Sequence, residues 1–100
     1  MQQPTILWQT PNKKMDPANR LGIEDDELVI CFLASGIQEY CVEAIDFKVL
    51  WVFDKSEIIE LSNKYLSGSP IMVNYHDVKK ARQKWIVSLR TARAQQKDNG

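Results

Sequence analysis

The last third of the chain, Tyr75 to Gln95, places the strongest limit on what these residues can fold into. Val78, Ala81, Trp85, Leu89 and Ala92 recur at helical spacing. At 100° per residue they fall within about 40° of Trp85, one narrow apolar seam that must face a core. Lys79, Arg82, Arg90, Arg93 and Lys97 gather on one flank in an arc about 80° wide, with Ile86 among them. Lys80 and Lys84 sit on the other side of the seam. Val87 points away from it, where a second helix or a partner would cover it.

That flank belongs to an uneven charge distribution. The chain is neutral as a whole, with 13 Lys+Arg against 13 Asp+Glu. Residues 1–27 hold three basic and five acidic side chains, and residues 28–67 hold three and six. Residues 68–100 reverse this, with seven basic and two acidic. Such polarity bears on partners and association, not on fold.

One hundred residues suit a single domain spanning 1–100, with residues 1–4 and 96–100 expected to fray and 10–27 read as a loop or arm. A chain of this size buries only about 60–65% of its unfolded surface, so a partner could add to its stability. The apolar and charged shares, 44% and 26%, are ordinary for a globular protein. No apolar run approaches the ~20 residues of a membrane helix. The opening Met1-Gln2-Gln3-Pro4 lacks the features of a signal peptide, so a soluble, cytoplasmic protein is expected. There, Cys31 and Cys41 would be reduced thiols acting as small apolar residues.

Local patterns set the expected elements. Thr5 to Gln9 reads as a short strand ended by Pro11, and Pro11 to Ile23, with two prolines, two asparagines and a glycine, as a loop. The acidic run Glu24 to Glu27 leads into Leu28 to Ala34, a continuous apolar stretch expected to be a strand covered on both faces. Ser35 to Phe47 fits two readings. As a helix, the preferred one, Ser35 and Gln38 form a capping box and Ile37, Tyr40, Cys41, Ala44 and Ile45 share a face. As a strand it forms a hairpin with the preceding run, Tyr40, Val42 and Ala44 facing in and Glu39, Cys41 and Glu43 out.

Lys48 to Phe53 is the clearest strand, β-branched and aromatic on both alternating faces. Asp54, with Glu57 three residues on, caps a following helix that Gly68 and Pro70 end. Ile71 to Val73 reads as a short strand, and Asn74 with Asp77 caps the final helix. The expected fold is a small single-domain sandwich, α/β or α+β. It has a sheet of three to five strands and two or three helices, the long C-terminal one included.

Catalytic chemistry finds little material. The four glycines never approach a GxGxxG or GxxxxGK[ST] phosphate loop. Cys31, Cys41 and the single histidine, His76, would all have to converge to hold zinc, and nothing in their spacing favours this. His76-Asp77 resembles a dipeptide of metal-dependent phosphohydrolases, but their further histidines are missing. A Cys–His nucleophile pair needs a partly exposed cleft, whereas Cys31 sits in an apolar run. No enzyme, metal or cofactor is expected.

The expected function is that of a small non-catalytic interaction or regulatory protein. It would bind a partner protein through Lys79, Arg82, Ile86, Arg90, Arg93 and Lys97. The alternative is nucleic-acid binding by the same helix through phosphate contacts. Against that stand a pI near 6.6 and the lack of RNP1-type, KH-type or helix-turn-helix signatures. A solvated helix face whose arginines lie over acids of the same molecule is the third reading. Pairing of acidic 24–60 with basic 79–97 between two copies would make a homo-oligomer. No membrane partner is expected.

Overall fold

A computed structural model describes residues 5–45 and 48–98, with side chains as far as Ala94. The order is β1 (Thr5–Gln9), a 3-10 turn (Pro17–Asn19), β2 (Arg20–Ile23), α1 (Asp26–Ala34), β3 (Cys41–Ile45), β4 (Lys48–Asp54), α2 (Lys55–Ser67) and α3 (Tyr75–Asp98). The strands form one antiparallel sheet in the order β1-β3-β4-β2. All three helices feed one core on one sheet face, an α+β arrangement in two layers. Leu28, Val29 and Phe32 of α1, Ile58 of α2 and Ala92 of α3 meet Leu7, Val42, Ala44, Trp51 and Phe53 of the sheet. Phe32 and Phe53 pack edge to face, ring centres 5.1 Å apart. Of the ends expected to fray, 1–4 and 99–100 lie outside the described residues, while 96–98 continue α3.

Strands β1 and β4 and the two later helices form where the sequence places them. The Asp54 carboxylate accepts from Ser56 N at 2.9 Å, and Gly68, at φ +75°, closes α2 as Gly68 N donates to Tyr65 O and Ser69 N to Lys64 O. Asn74 Oδ1 accepts from His76 N at 2.7 Å and opens α3. Glu57 does not complete a capping box; its carboxylate pairs with Lys13 at 2.8 Å.

Three expectations are corrected. Leu28 to Ala34 is not a strand but most of helix α1. The acidic run that precedes it is a helix start: Asp25 Oδ1 accepts from Glu27 N and Leu28 N, and Asp26 and Glu27 complement the helix dipole. Ser35 to Ile45 is not a helix. Gly36, at φ +87°, ends α1 as Gly36 N donates to Leu33 O and Ile37 N to Phe32 O, so Ser35-Gly36 closes one helix instead of opening another. The chain then runs into β3, which bonds to strands on both sides; Asp46 and Phe47 lie outside the described residues. Ile71 to Val73 forms no strand either, because it links two helices of the same layer and meets no sheet edge.

The segment 10–27 is only partly a loop. β1 and β2 lie on opposite edges, so the chain between them crosses the end of the sheet. Thr10 is buried there, its hydroxyl donating to Glu39 O at 2.7 Å. Lys13 Nζ donates to Gln38 O and Glu57 Oε1, fastening the crossing to the body of the protein. Arg20 to Ile23 then pairs with β4.

Candidate functional site

Helix α3 keeps its seam for the core: Ala81 and Ala92 are buried, and Val78, Trp85 and Leu89 half-buried. The basic flank remains outside. Lys79, Arg82, Arg90 and Arg93 are exposed, and among the described residues none of them lies in an ion pair. Ile86, 36% exposed, sits between them. From Lys79 to Arg90 the row is about 16 Å long at 1.5 Å per residue. The side chain of Lys97 lies outside the described residues.

Arg93 differs from the other three. It lines a cleft of about 320 Å³ with Glu24 and Asp26 ahead of and within α1, Lys48 and Trp51 on β4, and Trp85. Two acids and two bases thus share one small concavity over indole surface. A larger groove, about 540 Å³, separates the end of α1 and the loop after it from Asp77, Lys80, Ala81 and Lys84 of α3.

The charges the molecule does satisfy internally lie elsewhere, and sequence reasoning missed them. Glu39 has no exposed surface; Lys84 Nζ stands 3.3 Å from its Oε1, while Oε2 has no hydrogen-bond partner among the described residues. Glu43, also buried, pairs with Arg20 on the sheet face away from the helices. Arg20 is on β2 and Glu43 on β3, so the guanidinium reaches across β4, and the register sets wholly buried Val52 beneath that span. Alternation along β3 does place Glu43 and Cys41 opposite Val42 and Ala44, but "out" here still means covered. A five-residue sequence pattern carries no sign of a side chain arriving from two strands away.

The groups weighed for catalysis are dispersed. Cys31 is half-buried on α1, Cys41 buried on β3, and His76 exposed in the first turn of α3. Burial pushes both thiols up; at Cys41 the nearby Arg20 opposes this and Glu39 adds to it. Burial thus favours the protonated form of both thiols. Among the described residues no three His, Cys, Asp or Glu side chains cluster to hold a metal ion. No helix among them is long and apolar enough to cross a membrane.

The fold and these surfaces define a small two-layer α+β domain with a long, basic-flanked terminal helix. Comparison with known protein families, curated proteins and solved structures finds no match.

Proposed function

We propose that the protein is a non-catalytic interaction module that docks on an acidic surface of a partner protein through the outer flank of α3. The observation that carries this reading is the row Lys79, Arg82, Arg90 and Arg93: exposed, and without a counter-ion among the described residues. Arg93 also shares its cleft with Glu24 and Asp26, so Lys79, Arg82 and Arg90 are the part of the row that carries the proposal. Ile86 gives the row an apolar contact, and the packed seam behind it holds the helix still, lowering the entropy cost of docking. Charges placed this way set encounter rate and orientation more than raw affinity. Two free thiols suit a reducing compartment such as the cytoplasm.

The test is a pull-down with the full chain and with an Arg82→Glu/Arg90→Glu variant, with and without nuclease. The expected result is one acidic partner, retained after nuclease, weakened by salt and lost with the variant. Recovery of nucleic acid alone, or of a partner indifferent to the variant, defeats the reading. A second copy of the chain as the species retained would make the contact self-association instead.

A further inference from the structure

The opposite side of α3 carries a second, independent surface. Strand β1 ends the sheet: among the described residues it pairs with β3 alone, so one row of its backbone N–H and C=O groups meets no strand. Its pairing slips by one residue between Ile6 and Trp8. The extra residue turns two consecutive apolar side chains, Leu7 and Trp8, toward the helix layer. Leu7 is buried in the core, whereas Trp8 is left 43% exposed at the margin.

Trp8 and α3 flank a shallow, open groove of about 410 Å³, lined on the helix side by Lys80, Gln83, Lys84, Val87 and Ser88. Val87, 56% exposed, faces it with no core partner. Among the described residues the groove's charged walls are the two lysines, and no carboxylate lines it. Lys84 is shared with Glu39, but Lys80 lies in no ion pair among the described residues.

We propose that this groove receives an extended, acidic polypeptide segment that adds to β1 as a fifth strand. Main-chain bonds to the free edge of β1 supply affinity, and alternate side chains of the segment enter the groove and supply selectivity. One apolar side chain sits between Trp8 and Val87. Residues two or four positions away share its face, about 7 and 13 Å along the strand. Lys84 and Lys80 stand about 4.5 and 10.5 Å from Val87 along α3. The segment therefore carries Asp or Glu two or four residues from its apolar anchor. An isolated helix or a nucleic acid would satisfy the lysines but leave the β1 edge unpaired, and the cationic lining disfavours a basic segment.

The experiment selects a phage-displayed library of random twelve-residue peptides against the full chain, then measures the best synthetic peptide by titration. Selected peptides should share the apolar-to-acidic spacing and protect the amides of Thr5 to Gln9 from hydrogen exchange. Binding should fall at least ten-fold with Lys80→Glu and with Val87→Asp, an exposed position whose change spares the core, and be unaltered with Lys55→Glu. Methylating alternate amides of the peptide should abolish it. Peptides without that spacing, no selection at all, binding lost with Arg82→Glu but kept with Lys80→Glu, or unprotected β1 amides would each overturn the proposal. So would a dimer by ultracentrifugation that Val87→Asp dissociates, since a second copy would then hold the edge.

Discussion

Lys84 Nζ lies 3.3 Å from Oε1 of Glu39, joining the middle of α3 to the loop before β3. Glu39 is wholly buried, and the lysine is half exposed, so one partner depends on the pair much more than the other. Removing the lysine strands a charge away from water. Lys84→Met should destabilise the protein by about 2–3 kcal/mol, toward the low end because solvent reaches the lysine site. The double variant Lys84→Met/Glu39→Gln should recover most of that loss. Urea unfolding of the three variants checks this, and a double variant as unstable as Lys84→Met refutes it.

The Arg20–Glu43 pair gives a related expectation on the other sheet face. Arg20→Met should cost about 2–3 kcal/mol by leaving buried Glu43 unpaired and thinning the cover over Val52. Arg20→Met/Glu43→Leu should be close to neutral, since an apolar pair of similar volume needs no counter-charge. Thermal unfolding distinguishes the two.

Glycine substitutions should divide by backbone conformation. Gly36 and Gly68 have positive φ and open space where a Cβ would stand, so alanine there meets strain but no clash. Each Gly→Ala change should cost about 1 kcal/mol, or about 4–8 °C in Tm for a domain of this size. Gly22 is in strand β2, where an added Cβ would stand 3.4 Å from Leu50 Cδ1, at van der Waals contact. Gly22→Ala should therefore be neutral or slightly stabilising, because it restricts the unfolded chain. Equal losses at all three sites would disprove the distinction.

Alkaline stability should depend on Cys41. Burial holds its thiol above the ordinary value of 9.0, so above that value the folded state keeps a proton that the unfolded chain gives up. Its contribution is fully present below 9.0 and is lost as pH rises through the folded value. Cys41→Val should flatten that part of the alkaline decline. Urea midpoints of both proteins at a series of pH values, from neutral to strongly alkaline, measure the difference, and superimposable slopes would contradict it.

Charge reversal on the outer flank of α3 should leave the fold intact. Arg82 and Arg90 are exposed and unpaired among the described residues. Arg82→Glu and Arg90→Glu should each shift stability by less than about 0.5 kcal/mol. A larger loss in thermal melts would reveal an intramolecular role for these arginines.

Local chemistry made several parts of this protein legible in advance. Lys48 to Phe53 could only be a well-covered strand, because bulky side chains occupy both alternating faces. Asp54, Gly68 and Asn74 marked helix ends through interactions that span no more than a turn. The seam of α3 repeats over four turns, long enough for periodicity to settle both the helix and its buried side. The basic flank follows from that geometry by subtraction, and its exposure was legible too.

Other features depended on partners distant in sequence. Leu28 to Ala34 is apolar on every side and satisfies strand and helix alike; the only local sign was Asp25, whose cap is worth little against so ambiguous a run. Cys41 to Ile45 carries a helical pattern, yet β1 and β4 supply hydrogen bonds along both its edges, and no local propensity competes with two ladders. Buried Glu39 and Glu43 became tolerable only once Lys84 and Arg20 reached them, from 45 and 23 residues away. The groove beside β1 arises from a one-residue slip in strand pairing. The sequence by itself determined both ends of α2, the start of α3, the best strand and the face of α3, because each rests on neighbours within a few turns. Which apolar run became helix, which carboxylates went inside and which strand kept a free edge were decided by tertiary structure, because those energies exist only when distant segments meet.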